Sequence, residues 1–215
     1  MLNKGVYFIS GIDTNIGKSI ATGWLARELM AQGVSVMTQK MVQTGNEAIS
    51  EDIELHRKIM GLPLSDDDRS GVTCPIVFTY PASPHLAAKI DRRTLDTALI
   101  CEATEKLAKR YDVVLLEGAG GLMVPLSGDM LTIDYVESKR YPTILVSSGR
   151  LGSINHTILS IEALLSRKIP LAAIVYNRYP ACDELIESDT KEYLKRYLEH
   201  HSPETMFWEI DKIKI

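Results

Sequence analysis

Apolar residues along this chain fall into two kinds of run, and the two kinds alternate. Short continuous runs at 6–10 (VYFIS), 34–38 (VSVMT), 112–116 (DVVLL), 143–148 (TILVSS) and 171–176 (LAAIVY) predict strands buried on both faces. Between them, apolar positions recur every three or four residues at 19–32, 51–60, 94–111, 133–139, 153–167 and 189–201, predicting helices. Gly33 and Gly61 stand where the first two helices should stop, and Ser50 predicts an N-cap for the second. Residues 62–84, rich in Asp, Ser and Pro, predict an irregular connection, with Asp66-Asp67-Asp68 as a solvated turn. Residues 206–215 alternate between apolar and basic and predict no element. Strands alternating with helices predict an α/β fold, a mostly parallel sheet with helices on both faces. Ligands are then expected beyond the carboxyl ends of the strands. No repeat or linker interrupts the pattern, so one domain over residues 1–215 is expected.

Composition adds mainly exclusions. With 215 residues, 45% of them hydrophobic, the chain can bury such a sheet. The net charge of −4 leaves no broad basic field, which argues against nucleic acid as a partner. Cys74, Cys101 and Cys182 lie far apart and form no CxxC pair, so they read as free thiols in a reducing compartment. The amino-terminal apolar run is too short for a signal peptide, and no segment reaches the ~18 apolar residues of a membrane span. A cytoplasmic protein without a membrane partner is expected.

The chemistry centres on GIDTNIGKS, residues 11–19, between the first strand and the first helix. Strand, glycine-bearing loop, then helix is the context in which GK[ST] becomes a phosphate cradle. Backbone N–H groups of such a loop form an anion nest, and the helix that follows adds its positive end. Lys18 would reach the β- and γ-phosphates, and the Ser19 hydroxyl would hold Mg²⁺. The first glycine of the usual pattern would fall at Ile12; here it is Gly11, one place earlier.

Other polar residues stand at strand ends. Glu117 follows an apolar strand, where a carboxylate is costly unless paired or near a metal. Gly118, Ala119 and Gly120 follow it, and glycines permit close backbone approach to a ligand. Asp52 reads either as a further metal-side carboxylate or as an acid of a first helical turn. Lys40 is a second cation that could flank a transferring phosphoryl group, or a surface lysine. Asn177 ends the last predicted strand, with an amide suited to a purine edge or to a turn. His85 and His156 have no partner at metal-ligand spacing. The residues alone therefore reach a Mg²⁺-dependent nucleotide triphosphatase or phosphoryl-transfer ligase, with the second substrate open.

Six motifs in order resemble those of the dethiobiotin synthetases, ATP-dependent carboxylases of biotin synthesis. They are GIDTNIGKS (11–19, including the offset glycine), QKMVQTG (39–45), SEDIEL (50–55), YPASPHLAA (80–88), EGAGGLMVPLS (117–127) and RLGSINHTILS (150–160). The resemblance implies that Ser19, Asp52 and Glu117 surround Mg²⁺. It implies that Asn15, Ile16, Gly17, Lys18, Ser19 and Ile20 wrap the ATP phosphates, with Thr14 nearby. Lys40 would be the catalytic lysine beside Lys18, Thr44 would contact the diamine substrate, and Asn177 the adenine. Gly152, Ser153 and Asn155, at a helix start, would bind the substrate carboxylate from a neighbouring subunit, implying a homodimer with a shared site.

The implied reaction joins CO₂ to 7,8-diaminononanoate as a carbamate, activates it with ATP and closes a cyclic urea, giving dethiobiotin, ADP and phosphate. Met41, Asn15 and Ser19 replace the family's usual proline, glutamate and threonine. No Pro-containing base-packing segment follows Trp208, which leaves nucleotide preference open. Two rivals share the phosphate loop. A partition-type ATPase would carry a signature lysine at position 13, where this chain has Asp13, and a nucleotide-sensing domain need not keep Lys18, Lys40 and Glu117 together.

Overall fold

A computed structural model describes residues 2–179, 181 and 183–211. Cys182 and the end of the tail, 212–215, lie outside the described residues. The main sheet centres on β1 (Gly5–Gly11), flanked by β5 (Val113–Gly121) and β6 (Thr143–Ser148). Outside β5 lies β2 (Val36–Lys40); outside β6 lie β7 (Leu171–Asn177) and then β8 (Met206–Ile210). Every pairing is parallel. Alternation along β1 divides the core. Tyr7 and Ile9 pack with α1 (Lys18–Ala31), while Phe8 packs on the other face with α5 (Thr97–Ala108), α6 (Thr132–Lys139) and α7 (Ser153–Ser166). No helix among the described residues is long and apolar enough to cross a membrane.

The α1 face also carries α2 (Glu51–Met60), capped by the Ser50 hydroxyl as its sequence predicts. The two helices meet closely at Gly23. A Cβ there would stand 3.1 Å from Ile59 and 3.2 Å from the Cα of His56. This small residue brings α2 near enough to the phosphate loop for its side chains to reach the site.

Several boundaries differ from expectation. The strand predicted at 112–116 continues to Gly121, so Glu117 lies within β5 and pairs across the register with Lys40 of β2. Helix α5 is shorter than predicted because the Asp96 side chain caps it at Ala98. Helix α8 (Glu184–His201) starts five residues early, where the Asp183 carboxylate accepts from Leu185 and Ile186 N–H. The tail that matched no period forms edge strand β8, with Phe207 stacked on Tyr176 at 5.8 Å and Glu209 paired with Lys191 and Lys195. The connection at 62–84 contains α3 (Asp66–Arg69) and β4 (Val77–Phe78), which pairs with β3 (Gln43–Thr44), and leads into α4 (Pro84–Ile90).

The acidic run is not the solvated turn its composition predicts. Asp68 is 3% exposed and takes a two-pronged hydrogen bond from Arg57 at 2.8 and 2.9 Å. Three adjacent acids look like surface, and only the fold reveals that one of them turns inward to a buried guanidinium.

Candidate active site at the strand ends

The loop between β1 and α1 is shaped by its glycines and by Asn15. Asn15 has φ 57° and Gly17 φ 93°, both left-handed, which curls the chain back towards β1. At Gly11 a Cβ would come within 2.6 Å of the Ile16 side chain. The offset glycine is therefore a packing requirement, because Ile16 folds over it into the core. Lys18 is buried and reaches back across its own loop to donate to the Asp13 carbonyl at 3.2 Å. Burial pulls its pKa down, and nearby Glu117 opposes that shift.

Ser19, Lys40, Asp52 and Glu117 converge from four elements. The Ser19 hydroxyl lies 2.6 Å from Asp52 Oδ1 and 3.0 Å from Glu117 Oε1. Lys40 Nζ stands 2.5 Å from Asp52 Oδ2 and 2.8 Å from Glu117 Oε1, and donates to the Gly118 carbonyl at 3.1 Å. Asp52, in the first turn of α2, thus turns its carboxylate into this cluster, and Lys40 is buried. Burial works against the charge on Lys40, but Glu117 and Asp52 outweigh it and hold the ammonium pKa above its usual value. Burial likewise opposes charge on Glu117, yet Lys40 and His56 hold its carboxyl well below the usual range.

These four residues line one cavity of about 450 Å³ with Thr14, Asn15, Gly17, Lys18, Ile20, Thr44, Ala119 and Gly120. Most of the site predicted from sequence is therefore assembled in one place. Ile16 and Gly118 are not on its wall. Ile16 is a core residue, and a Cβ on Gly118 would strike the Phe8 ring at 2.6 Å. Gly118 therefore has a packing requirement of its own, and its carbonyl accepts from Lys40 at the site. Asn177 is buried beside the loop. Its amide donates to the Ile16 carbonyl at 3.0 Å and accepts from Tyr179 N–H at 3.1 Å. Gly152 and Asn155 border a different cavity, at the start of α7, and the Ser153 hydroxyl is buried against Ser148 at 3.1 Å.

Sequence reasoning missed His56. It is fully buried, with Nε2 2.8 Å from Glu117 Oε2. The signal was available: His56 follows Asp52 by four residues on a predicted helix, so both share a face.

A family profile described as "AAA domain" matches residues 5–214. The chain is 53% identical to "ATP-dependent dethiobiotin synthetase BioD 2" of Pasteurella multocida, over 98% of this chain and 99% of that protein. It is 54% identical to "ATP-dependent dethiobiotin synthetase BioD" of Chlorobaculum tepidum, over 89% and 82% respectively. Among solved structures, the signal recognition particle receptor FtsY of Elizabethkingia anophelis superposes with TM-score 0.60 at 12% identity, over all of this chain and 59% of that one. The pNOB8 ParA structure bound to nonspecific DNA gives TM-score 0.53 at 12% identity, over 98% of this chain and 86% of that one. Those two likenesses are of fold alone. Identity at this level along almost the entire length of both proteins is a different order of similarity, and by it the chain belongs to the ATP-dependent dethiobiotin synthetase family.

Proposed function

We propose that this chain is itself an ATP-dependent dethiobiotin synthetase. The observation that carries the reading is the convergence of Lys18, Ser19, Lys40, Asp52 and Glu117 on one cavity beside a phosphate loop, in a chain 53% identical to a protein of that name. One amine of 7,8-diaminononanoate adds to CO₂ and loses a proton, giving a carbamate. The carbamate oxygen attacks the γ-phosphorus of ATP, and the bond to ADP breaks. The second amine attacks the carbamoyl carbon, phosphate leaves with the C–O bond electrons, and the urea ring closes as that nitrogen loses its proton. Two anions meet at the phosphoryl step. Lys18 and Lys40 flank it and offset the charge developing there. Thr44, on the cavity wall, orients the diamine, and Asn177, beside the loop, meets the adenine.

The donor set suits Mg²⁺. The Ser19 hydroxyl lies within 3.0 Å of an oxygen of each carboxylate, Asp52 and Glu117, so three hard oxygens are offered together. No group of three or more His, Cys, Asp or Glu among the described residues is arranged to hold a metal alone. Phosphate oxygens and water would complete the shell, as this ion prefers. Bound there by Ser19, Asp52 and Glu117, it would supply charge neutralisation on the phosphates.

The exposed apolar side chains Leu151, Leu159 and Leu185 surround the cavity at the start of α7, which favours a second copy of the chain there. In that arrangement the backbone of Gly152, Ser153 and Asn155 offers a helix N-terminus to the substrate carboxylate of the partner. Sedimentation equilibrium is expected to give a dimer, and Leu185→Glu a monomer without turnover. A fully active monomer removes the shared site. The function itself is tested by phosphate release with ATP, Mg²⁺ and bicarbonate, with and without the diamine. Strong stimulation by the diamine, with dethiobiotin identified by mass spectrometry, is expected in a cytoplasmic enzyme of this class. Phosphate release indifferent to the diamine favours the partition-type reading instead.

A further inference from the structure

Glu117 is wholly buried, and its two oxygens are used differently. Oε1 accepts from Lys40 at 2.8 Å and from Ser19 at 3.0 Å, on the cavity side. Oε2 has one described partner, His56 Nε2 at 2.8 Å. An ionised carboxylate only accepts, so the proton of that bond sits on His56 Nε2. The ring's other nitrogen, Nδ1, is buried without a hydrogen-bond partner. The imidazole therefore has one polar commitment, and it is to the face of Glu117 turned away from the cavity. Removing it would leave a buried carboxylate oxygen unpaired, a cost the chain can relieve only by turning the carboxylate and disturbing Oε1.

The local fold serves this contact. His56 and Asp52 lie one turn apart on α2, so a single helix supplies one site carboxylate and the brace for the other. Gly23 of α1 is the point of close approach, 3.2 Å from a built Cβ to the Cα of His56, and it sets how near that brace can come.

We propose that His56 is a positioning residue: it locks the Glu117 carboxylate so that Oε1 faces Ser19 and Lys40, where the metal–nucleotide complex binds. This rests on Glu117 being on the metal side of the site. His56 touches no substrate in this role; it acts through Glu117, as partners of metal-ligating carboxylates do.

The test measures Mn²⁺ binding by electron paramagnetic resonance in the presence of ADP, alongside kcat and the KM for the diamine. His56→Leu is expected to weaken Mn²⁺ binding and lower kcat by about 10–100-fold, with the diamine KM unchanged. His56→Gln, whose amide can donate from nearly the same point, is expected to stay within about threefold of the native protein. Should the Leu variant not fold, His56→Met replaces it, since its flexible chain fills the same space without a donor. A folded Leu or Met variant with native Mn²⁺ affinity and kcat overturns the proposal, as does a Gln variant as impaired as Leu. Glu117→Gln is measured in parallel. If it weakens Mn²⁺ binding and His56→Leu does not, only the role of His56 falls; if neither does, the metal-side reading of Glu117 falls with it.

Discussion

Lys40→Ala is expected to lower turnover by about 10²–10³-fold while the dissociation constant for ATP changes little. Lys40 is buried between Asp52 and Glu117, whose charges keep its ammonium protonated throughout the neutral range. A cation so placed can do two things, and they have different signatures. If it serves the phosphoryl step, its loss appears in kcat and in single-turnover chemistry. If it only neutralises the two carboxylates, its loss appears as lower stability of the nucleotide-free protein, relieved by Mg²⁺, with turnover intact. Both effects are expected, with the first dominant in kcat. Lys40→Arg is expected to restore stability better than rate, because a planar guanidinium cannot occupy the compact position of the ammonium. Near-native turnover in the alanine variant would take Lys40 out of the mechanism.

The second large effect is on stability. Asp68→Ala is expected to destabilise the fold by about 3–5 kcal/mol in urea denaturation, because it leaves Arg57 buried and unpaired. The Arg57 guanidinium grips both Asp68 oxygens and also donates to the Thr38 hydroxyl at 2.8 Å. Ser65 and Thr73 add further bonds to the carboxylate. The cluster ties α2, which carries Asp52 and His56, to β2, which carries Lys40. Replacing both partners with leucine is expected to cost much less than either single change, because no lone charge remains.

The same pair predicts an acid response. Burial would raise the Asp68 pKa, but Arg57 and the other donors bring it down to about 2, from an ordinary 3.8. Between these values the unfolded chain binds the extra proton, so stability rises with pH there. The contribution, about 2 kcal/mol, is complete above pH ~4 and lost as pH falls towards 2. An Asp68→Ala protein that unfolds at the native urea midpoint would show that the pair contributes nothing.

Five of the six main-sheet strands, the phosphate loop and most of the residues on the cavity wall were legible in the sequence. Buried parallel strands must be apolar on both faces, so the five runs stood out without help. Phosphate binding by a loop needs glycine, lysine and a hydroxyl at short fixed spacing, so GIDTNIGKS was legible locally. The resemblance carried by the six motifs implied one site for Lys40, Asp52 and Glu117 although 65 residues separate the last two. What sequence left open were contacts whose partners are distant and whose own residue types are unremarkable. Asp68 looked solvated because its neighbours are, and only the position of Arg57 turns it inward. The end strand β8 escaped because an edge strand, half covered, need not alternate cleanly. Asn177 looked like a ligand for a base and is also a brace for the loop, which depends on β7 ending beside Ile16. His56 is the clearest case. Its four-residue spacing from Asp52 indicates a shared helix face but not what that face meets; tertiary structure sets the ring against the far oxygen of a buried carboxylate. Only α2 docking onto α1 at Gly23 does that, because the hydrogen bond depends on a separation of a few ångströms between helices that no local pattern encodes.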